Sequence, residues 1–161
     1  MTETRDNPGV IAPPPLLFAA VIVFGLLLDW LLPAYVLTVL LSRTQRVVIG
    51  VILIGVGAAL AVPAMRCFRS AGTHVEPWRP STALVTHGIF RRLRNPMYVG
   101  AAFGSTGIAF LLASDWILVL TVIFMLVLHF GVVLREERYL EAKFGDAYRA
   151  YMARVPRYGL F

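Results

Sequence analysis

Four long apolar stretches constrain this chain more than any other feature. Leu16 to Leu32 is interrupted only by Asp29, and beyond Pro33 the run resumes from Ala34 to Leu41. Val47 to Val62 follows, then Met97 to Ala113 and Trp116 to Leu134. Stretches near 20 apolar residues are long enough to cross a bilayer as helices. In lipid, such a helix satisfies its backbone groups within its own segment. Only 15% of the 161 residues are charged and 58% are hydrophobic, with mean hydropathy +0.74. Soluble domains run near a quarter charged. The expected fold is therefore all-α, an integral membrane bundle of about four transmembrane helices in one domain, residues 1–161. The spans are expected at about 16–41, 47–69, 97–113 and 116–134, with a C-terminal amphipathic cytoplasmic helix behind them.

The charge balance orients that bundle. The net charge is +6, and a basic chain raises the question of nucleic acid. Here the excess falls in two places: Arg66, Arg69, Arg79, Arg91, Arg92 and Arg94 between spans two and three, and Arg135, Arg138, Lys143, Arg149, Arg154 and Arg157 after span four. Four crossings put both regions on one side, and a Lys/Arg excess marks that side as cytoplasmic. Both termini are expected there too. The partner is thus the lipid bilayer, and no nucleic acid is expected. Met1 to Pro15 lacks the basic start, short apolar core and cleavage site of a secretory signal, so the first apolar run is expected to stay as an anchor. The single Cys67 precludes an internal disulfide, and His74, His87 and His129 are too scattered for a metal site, so none is expected.

Two polar segments carry chemistry. The stretch Ser70 to Asn95 is too long for an idle connection. It ends in His87-Gly88-Ile89-Phe90-Arg91-Arg92-Leu93-Arg94-Asn95-Pro96-Met97-Tyr98-Val99-Gly100. The second segment, Arg135-Glu136-Glu137-Arg138, leaves span four. Ser114-Asp115 is the only link between spans three and four, so they form a hairpin whose open end juxtaposes Arg94 to Tyr98 with Glu136 and Glu137. Plainer roles exist: interfacial anchoring for the arginines, a helix cap for Asn95 and a first-turn proline for Pro96. Carboxylates at the end of a span are costly and tend to be functional. Neighbouring helical residues point about 100° apart, so one glutamate is expected to face a pocket and the other to sit in a salt bridge. Leu140, Phe144, Tyr148 and Tyr151 recur at helical spacing along one face of a last helix that Pro156 ends.

The arrangement resembles the isoprenylcysteine carboxyl methyltransferase and phospholipid N-methyltransferase group of integral membrane enzymes. That group carries a glycine-aromatic lead-in, Arg-His-Pro-x-Tyr-x-Gly, a helical hairpin and a Glu-Glu pair. This chain has Gly88 and Phe90, Arg94-Asn95-Pro96-Met97-Tyr98-Val99-Gly100, and Glu136-Glu137. The likeness covers roughly residues 70 to 158, the expected catalytic part. Asn95 stands where the carboxyl methyltransferases usually have His, as in the phospholipid branch. The resemblance implies an S-adenosylmethionine-dependent methyltransferase acting on a lipophilic or small acceptor. Arg94 and Glu137 are the implied catalytic residues. A zwitterionic methionine end suits one cation and one anion in a partly dry site. Arg94 or Arg157 would hold its carboxylate, and Glu137 or Glu136 its ammonium. Tyr98 and Phe90 offer π-faces to adenine or the sulfonium. His87, Gly88 and Asn95 would stand at the pocket mouth, beside Pro96, with Gly100 leaving room for close approach. Two rival readings are an NADPH enzyme of sterol-reductase type and a non-catalytic membrane scaffold.

Overall fold

The computed structural model of the chain describes residues 6–159. Residues 1–5 and 160–161, including the extreme termini expected on the cytoplasmic face, lie outside the described residues. Among the described residues every regular element is helical. Helix α1 spans Pro14–Leu31, with proline in its first turn where no intrahelical donor is needed. It does not continue to residue 41. Pro33 has no N–H to donate and cannot carry the ladder, so Val36–Leu40 forms a separate short α2. Asp115 receives the first two α2 amides, Val36 N at 2.8 Å and Leu37 N at 3.0 Å. Trp116 Nε1 donates to the Leu32 carbonyl at 2.6 Å. One end of the bundle is tied together by these bonds.

Helix α3 runs Arg43–Ser70. Ser42 and Gln45 make a reciprocal capping box, so Arg43 to Arg46 is the helix's first turn rather than a loop. Helix α4, Pro96–Leu112, ends on Ala113 in the left-handed region (φ 57°). Ser114 then caps α5, Asp115–Leu128, by accepting from Ile117 N at 3.0 Å. A π-helical segment, His129–Val133, leads without a break into α6, Leu134–Phe144. The last span thus belongs to a 30-residue rod, Asp115–Phe144, about 45 Å long and longer than a hydrocarbon core. Three helices are long and apolar enough to cross a membrane, and α4 is a shorter apolar helix of 17 residues. Val23, Phe24 and Leu27 of α1, Val51 and Ile52 of α3, and Val122 and Leu126 of α5 are all exposed. In water such faces would aggregate; lipid is their solvent. The protein is an integral membrane helical bundle.

Helices α3 and α4 pack through two reciprocal glycine pairs. A Cβ at Gly57 would meet the Gly100 carbonyl oxygen at 2.6 Å, and one at Gly107 would meet the Gly50 carbonyl oxygen at 2.7 Å. Seven residues separate the partners on each helix, so both contacts fall on one face of an antiparallel pair. Dispersion and close backbone approach hold helices together in lipid, where no hydrophobic drive exists between them. Gly107→Leu is expected to force the pair apart and cost about 1–3 kcal/mol or more, read as a lower melting temperature in detergent.

The expected single C-terminal helix is two. Gly145 sits at φ 52° and ψ −127°, a backbone conformation that favours glycine. The chain turns there, and α7 runs Asp146–Met152. The apolar face still converges: Leu140, Phe144, Tyr148 and Tyr151 all join one cluster with Ala64, Val85 and Phe90. Tyr148 and Tyr151 are therefore core residues of the bundle.

Candidate functional site

The four helices alternate in direction, so the loop after α3, the start of α4 and the α6–α7 corner meet at one end. Gly88, at φ 60°, opens a 3₁₀ turn (Gly88–Arg91) that buries Phe90 edge-on against Phe68, with centroids 5.3 Å apart. Tyr151 Oη donates to the Phe90 carbonyl at 2.8 Å. The C-terminal tail is stitched to the start of α4: Arg94 N donates to the Pro156 carbonyl at 3.0 Å, and Asn95 Nδ2 to the Arg157 carbonyl at 3.2 Å. Asn95 thus stands at the N-cap of α4 without a side-chain cap bond, and its Nδ2 ties the tail instead.

These stitches bring the charges together. Arg157 grips Glu137 with two parallel bonds, Nε to Oε1 at 2.9 Å and Nη2 to Oε2 at 2.6 Å. Arg94 Nη1 lies 3.2 Å from Glu137 Oε1, at ion-pair distance but without hydrogen-bond geometry. The Nε and Nη1 groups of Arg94 are buried and have no hydrogen-bond partner. Glu136 differs: its Oε2 accepts from Tyr98 Oη at 2.9 Å, and no ion pair to it forms among the described residues. Tyr148 lies close to both Glu137 and Arg94. Burial, then the negative field of Glu137, pushes its hydroxyl above the ordinary phenol value. Burial likewise pushes Tyr158 up to about 12. Both phenols are neutral at physiological pH.

A cavity of about 620 Å³ adjoins this knot, within the usual range for small-molecule sites. Arg94, Asn95, Pro96, Tyr98, Gly100 and Phe90 line it, and so do both glutamates. The expectation that only one glutamate faces the pocket does not hold. The cavity wraps the start of α6 widely enough to collect two side chains that point apart. Other expected positions fall elsewhere. His87 is exposed, with its ring 3.3 Å from Ser70 Oγ. Gly88 lies against Cys67, where a Cβ would meet Sγ at 2.6 Å. Arg157 holds Glu137 from behind rather than lining the space. Thus His87 and Gly88 shape the loop, and Arg157 supports the site.

Several lining residues escape a reading of the sequence. Pro8, Pro14 and Phe18 near the N-terminus close one wall, and His74, Trp78 and Leu84 of the long loop close another. Tyr139 fastens both covers, accepting from Ser81 N at 3.1 Å and donating to Asp6 Oδ1 at 2.8 Å. Lys143 adds an exposed ion pair to Asp6 at 2.7 Å. The length of the loop gave a hint of its role; the proline-rich start gave none. The π-segment also matters, because the Gly131 carbonyl accepts from Ile11 N at 3.3 Å and fixes the N-terminal strap. Single-turn π-segments often mark functional sites.

The phospholipid methyltransferase family model matches residues 45–147, well over half of the chain. The chain belongs to the phospholipid methyltransferase family. The matched region runs from the head of α3 into α7 and so contains Arg94, Tyr98 and both glutamates, though not Arg157. Over 76 residues, 45% of this chain, the sequence is 41% identical to a protein-S-isoprenylcysteine O-methyltransferase of Schizosaccharomyces pombe, covering 31% of that protein. Over 37 residues it is 51% identical to an uncharacterized protein of Haemophilus influenzae, covering 59% of it. The matches therefore span about a third and three-fifths of these two relatives' lengths.

Proposed function

We propose that the chain is a membrane methyltransferase that binds S-adenosylmethionine at the charged end of the cavity and methylates a lipophilic acceptor. One observation carries the reading: a single cavity holds both a cation with unspent donors, Arg94, and a carboxyl group, Glu136, that has no ion pair among the described residues. Unpaired buried polar groups are costly, and a zwitterion satisfies both at once. The residues present thus fit the cofactor. Arg94 would receive its carboxylate and Glu136 its ammonium. Glu137 is already engaged by two arginines, so its part is to hold Arg94 and Arg157 in place. This divides the roles left open between the two glutamates.

When bound, the cofactor supplies an electrophilic methyl group on a sulfonium. The chain's own work is positioning. Arg94, Glu136 and Tyr98 fix the donor end, and the covers tied at Tyr139 exclude water. Orientation of this kind supplies much of the rate in transfers that need little covalent help. The acceptor approaches from lipid. Helix α3 packs on α4 and α1 packs mainly on α5, with little contact between α1 and α3. Both line the cavity, so its flank opens between them toward the bilayer. The arginine-rich end faces the cytoplasm in this reading, by the positive-inside rule. Within the relatives named above, the isoprenylcysteine O-methyltransferase supports a lipophilic acceptor in the same way.

A thermal-shift titration tests the proposal. S-adenosylhomocysteine at 100 times its Kd is expected to stabilise the detergent-solubilised protein by about 2.7 kcal/mol. A shift with NADP and none with S-adenosylhomocysteine would overturn it in favour of a reductase.

A further inference from the structure

We infer that Gly104 sets the depth to which a hydrocarbon tail of the methyl acceptor enters the bundle. The inference rests on the methyltransferase reading and names the residue that limits the acceptor's chain length at that site. The cavity has two unlike ends. Its ionisable groups gather near the head of α4, around Arg94, Tyr98, Glu136 and Glu137. Deeper in the bundle the lining is wholly apolar: Ile54 and Ala58 from α3, Ala101, Gly104 and Ile108 from α4, and Phe124 from α5. Ala101, Gly104 and Ile108 follow one another at helical spacing on one face of α4. The ten residues from Tyr98 to Ile108 span about 15 Å of axis. An arm of that depth with no hydrogen-bonding side chain fits hydrocarbon and rejects a polar ligand.

Gly104 stands midway along this arm. Three glycines punctuate α4, and two have a packing reason: Gly100 and Gly107 are pressed against α3 at Gly57 and Gly50. At Gly104 a Cβ would have nothing within 4 Å. A helical glycine costs roughly 1 kcal/mol relative to alanine, and neighbouring side chains do not require this one. The open space it leaves belongs to the cavity. A bulky residue there would block the arm about 9 Å from Tyr98 without disturbing the charged end.

The test uses the full chain in phosphatidylcholine nanodiscs, as wild type, Gly104→Leu and Gly55→Leu. Gly55 has equally open surroundings but does not line the cavity, so it controls for a leucine added to the bundle. The probes are fatty acids and alkylamines from butyl to hexadecyl, each with a diazirine at the tail end. Crosslinked residues are mapped by mass spectrometry, and S-adenosylhomocysteine binding is read in parallel by thermal shift. Long probes are expected to label the Ile108 and Phe124 region in wild type and Gly55→Leu. In Gly104→Leu their labelling falls about fourfold for each methylene denied the arm, while short probes and the S-adenosylhomocysteine shift are unchanged. Equal labelling by long probes in all three proteins would overturn the inference. If tails label as expected but no protein responds to S-adenosylhomocysteine, the arm remains a hydrocarbon site and the methyltransferase reading falls. Should Gly104→Leu fail to accumulate, Gly104→Ala takes its place, with a loss of about fourfold confined to the longest probes.

Discussion

Glu136→Gln is expected to weaken S-adenosylhomocysteine binding by about 10- to 100-fold while leaving the melting temperature of the ligand-free protein unchanged or slightly raised. The amide keeps the shape of the side chain and its oxygen still accepts from Tyr98, whose 2.9 Å bond is the carboxylate's one side-chain partner among the described residues. The ligand-free protein therefore loses nothing and no longer holds a half-buried carboxyl that lacks an ion pair among the described residues. A bound ammonium, by contrast, loses a charge-assisted bond worth about 1.5–3 kcal/mol. Calorimetric titration beside a thermal melt separates the two effects. Unaltered affinity in the variant would remove Glu136 from the binding site.

Glu137→Ala should behave oppositely. Its carboxylate is 11% exposed and lies between Arg94 and Arg157. Removing it leaves two guanidinium groups facing each other, at a cost of about 3 kcal/mol or more. The tail is held by Glu137 through Arg157, so residues 156–159 are expected to come loose and become protease-sensitive. Binding of S-adenosylhomocysteine falls as a consequence, because Arg94 loses the partner that holds it. Arg157→Lys is expected to reproduce part of this, since an ammonium cannot make the two parallel bonds of the guanidinium. A stable Glu137→Ala protein with an intact tail would show that the carboxylate is a ligand group rather than a support.

The contrast between these neighbours shows where the sequence stops being informative. Two adjacent glutamates after an apolar span mark a site because charge at a membrane boundary is costly. Nothing in their order says which is neutralised. That depends on Arg157, 20 residues further on, and on a tail direction fixed by the Pro156 and Arg157 carbonyls. His87 and Gly88 illustrate the converse. Their place in a recognisable motif suggested ligand contact, yet one turns outward to Ser70 and the other serves the loop against Cys67. The wall formed by Pro8, Pro14 and Phe18 was illegible because those residues reach the site through hydrogen bonds at Gly131 and Tyr139, more than 100 positions away.

The sequence by itself determined the solvent of this protein, its helical class, the hairpin and the meeting of Arg94 and Tyr98 with the glutamates. Those follow from local rules: apolar runs of span length, and a turn too short to allow anything but a return. Tertiary structure alone decided the division between Glu136 and Glu137, the break at Gly145, the covers over the cavity and the open space at Gly104. Each depends on which side chains occupy the space between helices, and packing at that range leaves no periodic trace in the chain.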